Sequence, residues 1–206
     1  MRVIQPVKER LKYTGLRPLL QPRAFHAYCV GTPKTGTHSI AGLFGAEYRS
    51  SHEPDFFQTI IGIERRLDGQ SAEEQAEYLW RRDRRLWLEM AASHPIAMFV
   101  DVLVDLFPEA KFILPVRRPR SWLNSISNQH INVQLKSDEA PSRLREIYHR
   151  TASSYQPGEA ILEKYSLYTL DGYLGYWASD NHRILRHVLD ARLLLLWTHD
   201  LSTSTD

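Results

Sequence analysis

Two things that the sequence nearly lacks, cysteine and long apolar runs, already narrow the class of protein. Cys29 is the only cysteine among 206 residues, so the chain can form neither an internal disulfide nor a zinc site built from cysteines. No stretch reaches the roughly 18 apolar residues that span a bilayer. The first 20 residues mix charged side chains with proline and contain no apolar centre of a signal peptide. We therefore expect a cytoplasmic protein that contacts no membrane.

An excess of charge of one sign is also missing. The chain has 26 basic and 24 acidic residues, a formal net charge of +2, which argues against the broad basic surface of a nucleic-acid-binding protein. A local anion site is still compatible with this composition. Only 6 of the basic residues are lysine and 20 are arginine, so a lysine inside a glycine-containing loop is conspicuous. With 43% hydrophobic residues, we expect a single domain over residues 1–206.

Short apolar runs alternate with segments of helical periodicity, which indicates an α/β fold. We expect a three-layer, P-loop-like architecture in which helices flank a mainly parallel central sheet. Ser71 and Glu74 match a capping box, and we interpret the basic run at residues 81–85 as a solvated helix end. The predicted strands cover residues 24–30, 86–90, 111–116 and 192–197, and all but the short second one are expected to be buried. Two predicted helices begin at Thr37 and after Pro119. Five more cover residues 55–66, 71–80, 96–107, 137–150 and 159–189, and the last of these has a break near Asp171-Gly172.

The turn from Gly31 to Ser39 joins the first predicted strand to the first predicted helix. Unpaired backbone N–H groups and the helix dipole converge on an anion at such a turn. A Walker A loop carries its lysine directly after the second glycine, whereas here Thr37 follows Gly36 and the lysine is Lys34, inside the loop. A lysine there can lie over the group attached at a 5′ phosphate, so we do not expect ATP as donor. The alternative is a tight turn with a solvated lysine.

A second motif follows the predicted strand at residues 111–116, where Arg117-Arg118-Pro119 is followed by Ser125, eight positions after Arg117. Together the two motifs resemble the sulfotransferase family, whose phosphosulfate loop commonly reads Thr-x-Pro-Lys-[Ser/Thr]-Gly-Thr, as residues 32–37 do. The resemblance implies 3′-phosphoadenosine 5′-phosphosulfate (PAPS) as co-substrate, without a metal. The fold and activity of that family are thereby expectations for this chain.

The resemblance also implies roles for individual residues. Lys34 would stabilise charge on the bridging oxygen, and Arg117 with Ser125 would hold the 3′ phosphate. Arg118 stands where many relatives carry Asp or Asn, so which arginine makes the contact stays open, and Ser121 is an alternative hydroxyl. The donor-binding residues implied in this way are Thr32, Pro33, Lys34, Thr35, Gly36, Thr37, His38, Ser39, Arg117 and Ser125.

Transfer to a hydroxyl or amine requires a base within reach of the acceptor. The candidates are Glu53, His52 and His94. Glu53 is narrowly preferred, because His52-Glu53-Pro54 is a polar cluster beyond the first predicted helix. His94 precedes Arg117 by 23 positions, much like the base histidine of the branch that sulfates small phenols and alcohols, although that branch's lysine two residues earlier is Ala92 here. His94 could equally be a hydrogen-bonded histidine at a strand end. We see no compact His/Asp/Glu cluster with metal-ligand spacing.

The expected function is therefore in-line transfer of the sulfuryl group of PAPS to a small-molecule or carbohydrate acceptor. Two alternatives stay open, a truncated or inactive relative that only binds the nucleotide, and a P-loop kinase of nucleotides or small molecules. Relatives usually continue beyond the last strand with a segment that this chain is expected to lack, either as a naturally short form or as a fragment. The sequence predicts neither the identity of the acceptor nor the oligomeric state.

Overall fold

Five parallel strands form one central sheet in the computed structural model, which describes residues 21–133, 139–149 and 154–202. In space the strands lie in the order β2-β3-β1-β4-β5, and every neighbouring pair is parallel. The predicted α/β fold with a parallel sheet is thus confirmed. The strands are β1 (Ala27–Cys29), β2 (Ser50–His52), β3 (Met90–Ala92), β4 (Lys111–Val116) and β5 (Leu193–Trp197).

Helices connect the strands and cover both faces of the sheet. Within the described residues they are α1 (Thr37–Gly45), α2 (Phe56–Leu67), α3 (Ala72–Leu86), α4 (Val100–Leu106), α5 (Pro119–Ile131), α6 (Ala140–His149), α7 (Ala160–Lys164) and α8 (Leu170–His187). Short 3₁₀ turns lie at Pro95–Phe99, Pro157–Glu159, Asp190–Arg192 and Asp200–Ser202. None of these helices combines the length and the apolarity needed to cross a membrane.

The residues of β1, β3 and β4 alternate between two cores, as the two-residue period of a strand requires. Tyr28 and Leu114 face the larger core, which α2 to α6 and α8 cover and in which Trp122 is fully buried. Cys29 and Ile113 face the opposite side, where Ile40 of α1 packs. The result is the predicted arrangement of three layers.

The predicted capping box starts α3. The Ser71 hydroxyl accepts a hydrogen bond from the Glu74 N–H at 3.2 Å, and the Glu74 carboxylate accepts one from the Ser71 N–H at 3.0 Å. The helix continues to Leu86 and ends at Trp87, whose φ of 48° is left-handed. The strand predicted at residues 86–90 therefore begins only at Met90.

The last predicted strand is not buried as expected. β5 lies at the edge of the sheet with β4 as its neighbour, and its Leu194 is 52% exposed. Arg192, predicted as the first residue of the strand, is in a 3₁₀ turn. Its guanidinium donates to the carbonyls of Val104, Phe107 and Ala110 at 3.1, 2.7 and 2.9 Å. The apolar run alone could not show that one side of the strand faces solvent.

The predicted interruption of the last helices is real but lies earlier in the chain. α7 ends at Lys164 and α8 begins at Leu170, so Gly172 is in the first turn of α8. The Thr169 hydroxyl caps this turn by accepting from the Gly172 N–H at 3.1 Å. A Cβ at position 172 would lie 2.7 Å from the His149 carbonyl oxygen, so glycine is needed for close packing of α8 on α6.

Two other predicted helices differ in their bounds. The segment predicted at residues 96–107 starts as the 3₁₀ turn Pro95–Phe99 and becomes α-helical at Val100. The helix predicted at residues 137–150 is α6, which begins at Ala140; residues 137, 138 and 150 lie outside the described residues. The strand β2 was not predicted, because its three residues Ser-Ser-His are polar.

Candidate functional site

All five strands end at the same edge of the sheet, where the loops that follow them line one cavity of about 510 Å³. In parallel α/β sheets ligands bind at this carboxyl edge. Each strand is followed by a residue that lines the cavity, namely Lys34 after β1, Glu53 after β2, His94 after β3, Arg117 after β4 and Thr198 after β5.

The loop between β1 and α1 presents backbone N–H groups to the cavity. Gly36 is the N-cap of α1 with a left-handed φ of 104°, and no side chain accepts a hydrogen bond at this helix end. The first turn of α1 also contains no acidic residue. An uncapped helix N-terminus facing a cavity is suited to hold an anion.

Two non-glycine residues on the cavity wall have left-handed backbone. Lys34 has a φ of 68° and Glu53 a φ of 48°, and such conformations cost on the order of 1–3 kcal/mol each. Strained backbone of this kind concentrates at functional sites, where the surrounding structure holds it. The strained backbone therefore lies at Lys34 and Glu53, two of the residues that the sequence assigns to the site.

Contacts from three other segments hold the loop in place. The indole N–H of Trp122 donates to the Pro33 carbonyl at 2.7 Å, and the Thr198 hydroxyl donates to the Thr35 carbonyl at 2.7 Å. A Cβ at Gly36 would lie 3.1 Å from the Leu201 side chain. The sequence analysis missed these contacts, although the position of Thr198 directly after a predicted strand was a usable signal.

The two sequence motifs meet in space at this loop. The Arg117 guanidinium donates through Nη1 to the Lys34 carbonyl at 3.2 Å. Ser125, two turns into α5, lines the same cavity, whereas Arg118 is exposed and is not among the lining residues. Ser121 is exposed and its hydroxyl donates to the Arg118 carbonyl at 3.0 Å. Of the two neighbouring arginines, Arg117 is the one that lines the cavity.

Not all of the residues expected at the donor site face the cavity. Thr32 and Thr35 are fully buried, and the Thr35 hydroxyl donates to the Thr32 carbonyl at 2.7 Å within the loop. Ser39 is exposed outside the cavity. The expected donor residues that line the cavity are Pro33, Lys34, Gly36, Thr37, His38, Arg117 and Ser125.

The three candidate bases form one cluster opposite the loop. Glu53 Oε1 lies 2.5 Å from His94 Nδ1 and 3.9 Å from His52 Nε2. His52 Nε2 also lies 3.2 Å from the Thr37 hydroxyl. Burial alone would raise the pKa of Glu53, but the hydrogen bond and charge of His94, together with His52, hold this pKa below its usual value. Burial lowers the pKa of His52, against the effect of the Glu53 carboxylate.

The register of the sheet fixes the Glu53–His94 pair. His52 is paired with Ala92 in the ladder of β2 and β3, and the Glu53 N–H donates to the Ala92 carbonyl at 2.7 Å. Glu53 and His94 therefore follow adjacent strands by one and two residues. Their side chains face each other because both strands end at the same level.

The basic run at the end of α3 is not the solvated helix end that we expected. Arg82 is 3% exposed and donates to the Pro54 carbonyl at 2.8 Å. Arg85 forms an ion pair with Asp55, with Nη1 3.1 Å from Oδ1. Both arginines contact the loop that carries Glu53, so the interpretation of the whole run as a solvated helix end was wrong for Arg82, whereas Arg81 is exposed as expected.

The wall beyond Glu53 and His94 combines apolar and polar side chains. The side chains of Phe56, Ile126, Pro141 and Leu144 form it together with Gln129, His130, Arg145, Tyr148 and His149. Burial lowers the pKa of His130 to about 4, with a smaller effect of the Arg145 charge. Burial lowers the pKa of His149 to about 3, with further effects of His130 and Arg145 that outweigh its hydrogen bond with the Gly172 carbonyl. Both rings are therefore neutral at pH 7.

Residues 21–133, 139–149 and 154–202 contain no group of three or more His, Cys, Asp or Glu side chains that could hold a metal ion.

Comparison with known proteins gives two matches. Residues 28–194 match the family model described as a sulfotransferase domain. A stretch of 45 residues is 44% identical to "Ava biosynthesis cluster protein M" of Aspergillus versicolor, and this stretch covers 22% of the chain and 17% of that protein. The chain thus matches far less than two thirds of this relative, so the relative's activity cannot be transferred with the match.

Proposed function

Because the chain belongs to the sulfotransferase domain family, we propose that it transfers a sulfuryl group from PAPS to a hydroxyl or amine of a small-molecule or carbohydrate acceptor. The observation that carries the proposal is the contact of the Arg117 guanidinium with the Lys34 carbonyl. It places two cationic side chains and the uncapped start of α1 around one cavity. PAPS carries phosphate groups at both ends of its ribose, and these require two such anion-binding positions.

The residues of the loop fit the 5′ end of the donor. The N–H groups of Gly36 and Thr37 at the start of α1 can hold the 5′ phosphate. Lys34 is exposed on the cavity wall and would balance negative charge on the bridging oxygen. Arg117 and Ser125 would hold the 3′ phosphate. When bound, PAPS supplies an activated sulfuryl group, and these residues orient it.

The Glu53–His94 pair would remove the proton from the acceptor. A hydrogen bond from His94 Nδ1–H to Glu53 Oε1, which lie 2.5 Å apart, would leave Nε2 of His94 as the nitrogen that accepts the proton of the acceptor. The lowered pKa of Glu53 makes this carboxylate a weak base. We therefore assign proton removal to His94 and its orientation to Glu53, reversing the narrow preference drawn from the sequence.

His52 has a different role in this proposal. Its Nε2 is near both the Thr37 hydroxyl and the Glu53 carboxylate. It would therefore link the start of α1 to the proton-accepting pair, and it would not itself contact the acceptor.

Binding of nucleotides tests the donor half of the proposal. Calorimetric titration with 3′,5′-adenosine bisphosphate (PAP) and with AMP should show tighter binding of PAP. Arg117→Ala should reduce the preference for PAP by about ten- to a hundredfold, the effect of removing a charged hydrogen bond. The adjacent Arg118→Ala is the matched control and should keep the preference. Equal affinity for PAP and AMP in the unmodified protein would refute the proposed 3′-phosphate site.

Turnover tests the acceptor half. Formation of PAP from PAPS should be measured with a phenol, an aliphatic alcohol and an amino sugar as acceptors. His94→Gln should lower kcat by about 10²-fold or more, as expected for loss of a general base, while PAP binding stays unchanged. Glu53→Gln should lower kcat less. Full activity of His94→Gln would show that the base is misassigned.

A further inference from the structure

A buried polar group lies behind His94, on the side of the larger core. We call it the inner cluster; it consists of Tyr148 on α6 and of Tyr176 and Asp180 on α8. The ring of Tyr148 packs edge-on against the His94 ring, with centroids 5.9 Å apart. The rings of Tyr148 and Tyr176 stack with centroids 4.2 Å apart. Asp180 follows Tyr176 by one helical turn, so the two side chains lie on the same face of α8, and the Asp180 charge acts on both tyrosines.

The inner cluster contains polar atoms that packing does not explain. Asp180 is 1% exposed; its Oδ1 accepts a hydrogen bond from Arg183 Nη1 at 2.6 Å, but its Oδ2 has no partner. The hydroxyls of Tyr148 and Tyr176 are buried and also lack partners of normal geometry. Buried polar groups are usually hydrogen-bonded, so three exceptions at one place require an explanation.

Charges in the inner cluster act on each other and on the site. Burial raises the pKa of Asp180 to about 6, although Arg183 and His94 act in the opposite direction. After burial, the Asp180 carboxylate is the largest contribution that raises the pKa of Tyr148 and of Tyr176. The ionisable groups that act on Asp180 are thus Arg183 on its own helix and His94 after β3. Asp180 and His94 interact across the protein interior, where water screens charges weakly.

Resting on the proposed sulfuryl transfer, we propose that Asp180 is a positioning residue whose buried carboxylate stabilises the imidazolium that His94 becomes when it takes the proton of the acceptor. In this step the O–H or N–H bond of the acceptor breaks and its proton moves to His94 Nε2. The acceptor atom forms a bond to sulfur. The bond from sulfur to the bridging oxygen breaks, and its electron pair stays on the 5′ phosphate.

The geometry gives each member of the inner cluster a part in this stabilisation. Glu53 contacts the His94 ring from the cavity side through Nδ1, and Asp180 supplies a second negative charge from the core. The buried hydroxyls of Tyr148 and Tyr176 interact with each other and with the Asp180 charge but form no hydrogen bond of normal geometry, so they can reorient toward the carboxylate or away from it as the charge on His94 changes. If every polar atom of the inner cluster had a hydrogen bond of normal geometry, the hydroxyls could not reorient in this way.

The first arm of the test uses the protein without any donor. The carboxyl carbon of Asp180 is followed by ¹³C NMR between about pH 4 and 8, where its midpoint should lie near the pKa of about 6. His94→Gln removes the opposing positive charge, so the midpoint should move to higher pH. The matched control is Tyr78→Phe, which removes another buried hydroxyl, on a tyrosine of α3 whose ring packs against Phe99. This control should leave the midpoint unchanged.

The second arm measures PAPS turnover. Asp180→Asn and Tyr148→Phe should each lower kcat by roughly tenfold with an unchanged KM for PAPS, and Tyr78→Phe should not. Without the negative charge of Asp180, protonation of His94 is less favourable. The acid limb of the kcat/KM profile should therefore move to lower pH in Asp180→Asn. Tyr148→Phe keeps the ring that packs against His94 and deletes only the hydroxyl. A fall in its kcat therefore reports the interaction of this hydroxyl with Tyr176 and Asp180.

The two arms separate failure of this inference from failure of the proposed function. An Asp180 midpoint that ignores His94→Gln, or wild-type kcat in Asp180→Asn, overturns the role assigned to Asp180 and leaves sulfuryl transfer intact. A wild-type protein that never forms PAP from PAPS refutes the proposed function. The donor-free titration would then still decide by itself whether Asp180 and His94 are coupled.

Discussion

Stability of the fold should fall between pH 7.5 and pH 5 because of two buried histidines. His130 and His149 are 4% and 3% exposed, and their pKa values are lowered from 6.5 to about 4 and about 3. Between these values and 6.5 the unfolded chain binds protons that the folded protein does not, so stability is lost as the pH falls below 6.5. At about pH 5, some 1.5 units below, each histidine should contribute a loss of about 2 kcal/mol at 1.36 kcal/mol per unit.

Urea unfolding at both pH values measures this effect. Wild type is compared with His149→Gln, whose side chain can still donate to the Gly172 carbonyl but does not titrate. The loss of unfolding free energy from about pH 7.5 to pH 5 should be about 2 kcal/mol smaller in the variant. His182→Gln, at an exposed histidine on α8, is the matched control and should lose as much as wild type. Equal losses in wild type and His149→Gln would show that the buried ring is already protonated at low pH or is not buried in solution.

Three further substitutions test the packing around the site. Gly36→Ala adds a Cβ to a residue whose φ is 104°, and this Cβ would lie 3.1 Å from the Leu201 side chain. The resulting strain of about 1 kcal/mol should lower the PAP affinity measured by calorimetry at least about fivefold. Ser71→Ala removes the capping box of α3 and should lower the unfolding free energy in urea by about 1 kcal/mol with unchanged PAP binding. Gly172→Ala places a Cβ 2.7 Å from the His149 carbonyl oxygen. It should therefore lower the melting temperature more than Ser71→Ala does. An equal or smaller decrease would contradict the close packing of α6 and α8.

The sequence predicts the parts of this fold whose local signals agree with their surroundings. β4 has the predicted bounds because the five apolar residues that follow Lys111 are buried on both faces of the sheet. The loop from Gly31 to Gly36 could be recognised because an anion-binding turn needs glycine and lysine at fixed positions. The Ser71 capping box marked the start of α3 for a similar local reason. Each of these features depends on a few residues that are neighbours in the chain.

Features decided by distant contacts could not be predicted in this way. β2 is polar and becomes a strand through its pairing with β3. Arg82 looks like a solvated residue of a helix end, but the Pro54 carbonyl, 28 positions earlier, draws its guanidinium into the interior. Asp180 and Tyr148 had no signal in the sequence, because their relation to His94 depends on how α6 and α8 pack. The local signals in the sequence are therefore clearest for the loop proposed to bind the donor, and they say least about the side proposed to bind the acceptor.

This difference follows from how the two halves of the cavity are built. The donor half depends on one loop and on contacts that anchor it, such as Trp122 to the Pro33 carbonyl. The proton-accepting half depends on the register of β2 and β3, which sets Glu53 beside His94. Because the two halves share few supporting contacts, substitutions in one should leave the other nearly intact, as distant sites usually behave additively. His52, between Thr37 and Glu53, lies where the halves touch, so its replacement should change nucleotide affinity and turnover together.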